Sequence, residues 1–317
     1  MNKQIAVIGA GAWGTALAIL QANAGRSVTL WARDATKADL MERSRTNPHL
    51  PGAVLPSSLR VTSVMPQADI LLIAVPLQTL RHLLPALPIG VKLVLCCKGV
   101  EQTTLALPPE IVAPRDCALL TGPNFAHEVA AGLPAAAILA TPDAALRSML
   151  VSSLHTPCFR LYGAADIVGA ALGGAAKNVI AIAAGVVMGA GLGENARAAL
   201  ITRGLAEIAR LAEALGGRAE TVAGLSGLGD LLLTCTGLSS RNYSLGYGLG
   251  QGRRLQEILA ARNAVTEGVM TAPALLARAR MSGVEMPITQ AVTNLLEGGM
   301  TVAKTMAALM GRALKDE

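Results

Sequence analysis

The sequence predicts an α/β protein: a parallel-sheet domain over residues 1–163, followed by an all-helical domain over 164–317. Three observations predict it. Short apolar runs alternate with helical stretches through the first half, which is the pattern of right-handed βαβ units. After about residue 162, segments of period 3.6 dominate and strand-like runs become rare. Near the N-terminus, three glycines are spaced as in a nucleotide-binding turn.

The elements follow in order. "QIAVIGAGAWGTALAILQANAG" reads as a strand, a glycine turn and a helix closed by Gly25. "SVTLWARD" is a second strand. "ADILLIAVP" is a continuous apolar run, as for a strand buried on both faces. "VKLVLCCKG", "CALLTGPNF" and "PAAAILATP" repeat the theme, each ending in turn chemistry. Helical periodicity then covers about 164–190, 194–215, 229–237, 254–261, 271–281 and 288–297.

Composition narrows the function classes. Of 317 residues, 52% are hydrophobic and 2% aromatic, so Ala, Leu, Val and Gly do the packing. The mean hydropathy of +0.48 raises a membrane reading. The central apolar stretch at 179–193 is short of the ~20 residues a span needs. Met1, Asn2 and Lys3 lead straight into a strand-like run with no signal-peptide pattern, so the expected location is cytoplasmic. Five cysteines, with no C-x-x-C spacing, suit reduced core thiols. Four scattered histidines offer no zinc-binding pair. The net charge of +6 favours anionic ligands, but the basic residues are dispersed and base-stacking aromatics are scarce. A small phosphorylated substrate is therefore expected rather than nucleic acid.

Gly9, Gly11 and Gly14 form G-x-G-x-x-G directly after a strand and at the mouth of a helix. In that context they predict a Rossmann-type dinucleotide site. The first glycine makes the tight turn, the second lets a pyrophosphate approach, and the third lets helix and strand pack. After the second strand, where NAD-specific folds place an acid on the ribose, the chain has Arg33 and then Asp34. An arginine there can pair with a 2′-phosphate, so NADP is the preferred cofactor and NAD the alternative.

Several polar residues stand in apolar or glycine-rich settings. Lys98 follows "LVLCC" at a strand end, and Gly122, Asn124 and Ala126 follow another. Lys177 and Asn178 lie in "LGGAAKNVIAIAAGVVMGAGLG", with Gly173 and Gly174 one turn back on the same face, leaving room for a ligand or a backbone. Asp230 opens a helix, and "SSRNYS" supplies Ser240, Arg241 and Asn242. Each has a plainer reading: Lys98 as a loop lysine, Asp230 or Ser240 as an N-cap, Lys177 as a snorkelling side chain, Glu267 as a helix-start acid. Together they offer two lysines, an acid and an arginine beside a dinucleotide, which suits carbonyl reduction of a phosphorylated substrate.

The ordered set "GAGAWGTALA", "CCKGVE", "GPNFAHEVA", "GGAAKNVIAIAAGV", "GLGDLLLTCTGLSSRNYSLG" and "AVTEGV" resembles bacterial NAD(P)-dependent glycerol-3-phosphate dehydrogenase along essentially the whole chain. The resemblance implies reversible reduction of dihydroxyacetone phosphate to sn-glycerol 3-phosphate, feeding phospholipid synthesis. It implies that Lys177 is the general acid, with Asp230 holding Lys177 or a substrate hydroxyl. Lys98, Gly122, Asn124, Ser240, Arg241 and Asn242 would line the substrate pocket. Lys98 and Arg241 would also touch the cofactor, with Gly9, Gly11, Trp13, Gly14, Arg33, Ala126, Val265 and Glu267. Two departures stand out: Asn124 replaces a commoner Ser or Thr, and "CCKG" replaces a commoner Gly-Thr before the lysine. Alternatives are a two-domain reductase of the 6-phosphogluconate or β-hydroxyacid type, and a non-catalytic NADPH-binding sensor. Alanine-rich faces in the helical half suit a homodimer or packing within one chain.

Overall fold

The structure, a computed structural model, describes residues 3–261 and 266–311. The chain forms two compact units: Met1–Lys98 with Leu107–Ala171, and Gly99–Ala106 with Leu172–Glu317. The sequence boundary at 163/164 precedes the helix Ile167–Gly189, whereas the division falls inside that helix. The excursion Gly99–Ala106, a short piece of the first half that packs with the second, has no sequence signal.

The first unit is built on strands β1 (Ile5–Ile8), β2 (Val28–Trp31), β3 (Arg60–Thr62), β4 (Ile70–Ile73), β5 (Lys92–Leu95), β6 (Cys117–Thr121), β7 (Ala135–Ala140) and β8 (Phe159–Ala164). They form one sheet in the order β3-β2-β1-β4-β5-β6-β7-β8. Its helices are α1 (Ala12–Asn23), α2 (Ala35–Ser44), α3 (Leu80–Leu83), α4 (Pro108–Val112), α5 (Ala126–Ala130) and α6 (Ala144–Leu154). β1 and β4 are buried at every position, which is why their sequences are apolar throughout.

The pairing is parallel from β3 through β6, as expected, but β7 runs antiparallel to β6 and carries β8 parallel to itself. The link between β6 and β7 explains the reversal. Its helix α5 has five residues, about 7.5 Å of rise, against roughly 20 Å for a six-residue strand. That helix is too short to carry the chain back along the sheet. The edge strand β8 escaped the sequence reading. It shows only the weak alternation of Phe159 and Leu161 buried with Arg160 and Tyr162 exposed.

The strand order reverses direction at β1, whose neighbours are β2 on one side and β4 on the other. Such a switch point opens a crevice at the carboxyl ends of the strands, where ligands bind in doubly wound folds. The glycine turn sits there.

The second unit is helical: α7 (Ile167–Gly189, begun in the first unit), α8 (Glu194–Ala214), α9 (Ala219–Val222), α10 (Asp230–Cys235), α11 (Arg241–Gly250), α12 (Leu255–Ala260), α13 (Glu267–Met281), α14 (Pro287–Leu296) and α15 (Val302–Met310). α7 is long and apolar enough to cross a membrane, but 83% of its most apolar stretch is buried inside the chain, the position of a core helix. Its glycines allow backbone-to-backbone packing on α11. A Cβ on Gly185 would lie 2.1 Å from the Tyr243 carbonyl oxygen, and one on Gly246 would lie 1.9 Å from that of Ile182. Packing within the chain thus covers this small-residue face. α8 in turn holds α14 through Glu207, whose carboxylate accepts Ile288 N at 2.6 Å and Thr289 N at 3.3 Å.

Candidate functional site

The glycine turn of the first unit is closely packed at Gly9 and Gly14. Gly9 has φ +116° and lies so close to the strand end after β4 that a Cβ would meet Ala74 O at 2.8 Å. Gly14 faces back onto the turn, where a Cβ would meet Gly9 O at 1.9 Å. Between them Gly11 is exposed, and a Cβ there would touch nothing within 4 Å. The turn is therefore closed toward the protein and open at Gly11, and the first N–H groups of α1 face outward beside it.

Buried polar atoms ring this end of the sheet without partners. Trp13 Nε1, Thr121 Oγ1 and Asn124 Oδ1 find no hydrogen bond among the described residues. Buried donors and acceptors are rarely left unmade. Together with the open glycine, they fit a polar ligand such as a dinucleotide. Thr121, the last residue of β6, was not singled out in the sequence, because a strand threonine there looks like any other.

The remaining expected residues of this unit follow the strand ends. Arg33 is exposed just beyond β2, and Gly9 N donates to Trp31 O, the last residue of that strand. Asp34 is occupied as the N-cap of α2, its carboxylate accepting Lys37 N at 3.1 Å. The acid after β2 thus has a local job, and Arg33 beside it is an exposed positive charge. Lys98 follows β5 and is half-buried. Gly122 is buried against β7, where a Cβ would lie 2.8 Å from Ala137 Cα. Asn124 donates from Nδ2 to Ala136 O at 3.1 Å, and Ala126 opens α5 half-buried.

In the second unit, Lys177 is 8% exposed and donates from Nζ to the Oδ1 of Asp230, itself fully buried. Lys177 neither snorkels to solvent nor stands alone: an opposed carboxylate offsets part of the cost of burying it. Asp230 is not the N-cap of its helix. It is the first residue of α10, directly after a π-helical turn at Leu225–Gly229. Single π turns are rare and are frequently found at functional sites. Gly173, one turn before Lys177, admits this turn, since a Cβ there would meet Ser226 O at 2.6 Å. The room that the sequence reading reserved for a ligand or a backbone is taken by backbone. Thr234 Oγ1 donates to Asp230 O at 2.6 Å, a support with no sequence signal.

The nearby thiol is inert. Burial pushes Cys235 up to about 12, with Lys177 and Arg197 lowering it and Asp230 raising it. All five cysteines are free.

Asn242 joins three helices. Its Nδ2 donates to Asn178 Oδ1 at 2.9 Å and its Oδ1 accepts Gly268 N at 3.0 Å. Ser240 is the N-cap of α11, accepting Tyr243 N at 3.2 Å, so its plainer reading describes what its hydroxyl does here. Arg241 begins that helix and is exposed, and Glu267 begins α13 half-buried. Val265 lies outside the described residues.

Residues 4–147 match the family model described as NAD-dependent glycerol-3-phosphate dehydrogenase N-terminus, and residues 166–307 match its C-terminus. The chain belongs to the NAD-dependent glycerol-3-phosphate dehydrogenase family. Similar proteins named glycerol-3-phosphate dehydrogenase [NAD(P)+] include one from Acidiphilium cryptum, 62% identical over 100% of this chain and 99% of its own. Another, from Gluconobacter oxydans, is 54% identical over 98% of both chains. The crystal structure of glycerol-3-phosphate dehydrogenase from Coxiella burnetii superposes with a TM-score of 0.92 at 36% identity, covering 98% of this chain and 99% of that one. Membership favours this dehydrogenase reading over a 6-phosphogluconate or β-hydroxyacid type. It also supports NAD or NADP as the cofactor.

Proposed function

We propose that this chain catalyses the reversible NAD(P)H-dependent reduction of dihydroxyacetone phosphate to sn-glycerol 3-phosphate, supplying glycerophospholipid synthesis. The observation that carries this reading is the buried pair of Lys177 and Asp230 in a chain of this family. The glycine turn, Trp13, Arg33, Ala126 and Glu267 would hold the dinucleotide, and the chemistry it would supply when bound is a hydride for the ketone carbon.

As charge develops on the ketone oxygen, Lys177 donates a proton from Nζ to that oxygen, and the alcohol forms. Proton transfer of this kind is worth ~10²–10⁴-fold. Asp230 orients the lysine and compensates its charge while it waits. Lys98 and Arg241 supply positive charge to the substrate phosphate. Gly122, Asn124, Ser240 and Asn242 complete the substrate site, Asn242 through its bond to Asn178. In the reverse direction Lys177, as the free amine, removes the proton from the alcohol.

Arg33, free of the capping duty that Asp34 performs, supports NADPH over NADH. A cytoplasmic location belongs to the same reading. The accompanying expectation of a homodimer is checked by sedimentation. The central experiment is spectrophotometric NADPH oxidation with dihydroxyacetone phosphate. Turnover with that ketone, and none with the oxo acids that a β-hydroxyacid dehydrogenase would reduce, is expected. Absence of turnover would leave the fold standing and remove the function.

A further inference from the structure

The loop between α2 and β3 contains a buried asparagine that the sequence reading passed over. Asn47 is 3% exposed. Its Nδ2 donates one hydrogen to Ala10 O at 3.0 Å and the other to Thr15 Oγ1 at 2.7 Å, and its Oδ1 accepts His49 N at 3.0 Å. Three of its four hydrogen-bonding positions are thereby filled. Ala10 is the residue between the first two glycines of the turn, and Thr15 lies in the first turn of α1.

We propose that Asn47 is a positioning residue for the dinucleotide diphosphate, acting through the Ala10–Gly11 peptide. In a planar trans peptide the C=O and N–H point in opposite directions. With the Ala10 carbonyl held inward by Asn47, the Gly11 N–H is aimed outward, on the side where Gly11 is open. Gly9 is already fixed by Ala74 and by its bond to Trp31 O. The peptide after Ala10 is held in turn by Asn47 through its carbonyl. A turn so preset binds a diphosphate without first paying to order the backbone. The bond to Thr15 ties the same amide to α1, so turn and helix N-terminus are held as one piece.

This inference rests on the dinucleotide reading, and the test separates the two. NADP⁺ and ADP binding are measured by calorimetry for wild type, Asn47→Asp and Thr15→Val, each at pH 8 and pH 5.5 and each normalised to wild type at that pH. Thermal melting without ligand reports the fold. A carboxylate at position 47 cannot donate to Ala10 O, whereas a protonated carboxyl can. Asn47→Asp is expected to bind both ligands about tenfold or more weaker at pH 8, the scale of one lost hydrogen bond near charge. It is expected to recover to within about threefold at pH 5.5. Thr15→Val keeps the Ala10 bond and is expected to stay within about threefold at both pH values. Affinity of Asn47→Asp within twofold of wild type at pH 8 would overturn the proposal. So would an equal loss at both pH values, or an equal loss in Thr15→Val. If Asn47→Asp does not fold, Asn47→Ser takes its place, with tenfold loss expected for both ligands and a loss under twofold overturning the proposal. Wild type that binds neither ligand would instead remove the dinucleotide reading itself.

Discussion

At the scale of the residue, chemistry and local structure compete for the same side chains. Asp34, Ser240 and Asp230 are all plausible N-caps by position, and two of them do cap helices. Asp230 does not, because its partner is a lysine distant in sequence. That pairing makes Lys177 a test case. Lys177→Ala should lower kcat by about 10²–10⁴-fold while the Kd for NADPH stays within about threefold. It should also cost stability, since it leaves Asp230 buried without its counter-charge. Stopped-flow turnover together with fluorescence titration of NADPH checks this. Near-normal turnover would exclude Lys177 as the proton donor. At the cofactor turn, Arg33→Ala should weaken NADPH binding about tenfold, in line with loss of a charge-assisted contact to phosphate, and leave NADH unchanged. An unaltered ratio of the two affinities would assign the arginine to solvent.

At the scale of the element, close approach matters more than propensity. The π turn reaches α7 only because position 173 lacks a side chain. Gly173→Ala would place a methyl group 2.6 Å from Ser226 O, a backbone atom that cannot swing away. The expected cost is about 1–3 kcal/mol of overpacking. Because the shifted turn carries Asp230, kcat should fall more than the KM for NADPH rises. A lowered melting temperature with unchanged kcat would separate packing from positioning. Long elements with strong periodicity were legible: α8 was expected over 194–215 and spans Glu194–Ala214. α11 was not, because its glycines lower helix propensity; Gly246 and Gly250 lie against the backbone of α7, and Gly248 lies against Ile258 of α12.

At the scale of the whole molecule, a buried acid links stability to pH. Burial pushes Glu207 up from about 4.5 to about 7, against hydrogen bonds from Ile288 and Thr289 and the charge of Arg210, which favour the anion. The folded protein thus binds this proton more tightly than the unfolded chain does. The contribution to stability is full below about pH 4.5 and is lost as pH rises to about 7, by at most about 1.4 kcal/mol per pH unit. Unfolding free energies of wild type and Glu207→Gln across pH 5 to 8 should diverge over that window, with wild type losing ground, and run parallel above it. A constant difference throughout would show that Glu207 titrates as an ordinary carboxylate.

The two-part architecture, the glycine turn and the identities of the charged residues were determined by the sequence itself. Periodicity, turn chemistry and spacing are local properties, and a reader of neighbours along the chain can see them. Only the tertiary structure decided which of those residues meet. Lys177 finds Asp230 and Asn242 finds Asn178 and Gly268 across long stretches of chain, and Asn47 reaches the carbonyl of Ala10. It also decided that β7 turns back beside β6 and that 99–106 packs with the second unit. Such pairings depend on which surfaces are buried together, and a linear pattern of residues does not specify that by itself.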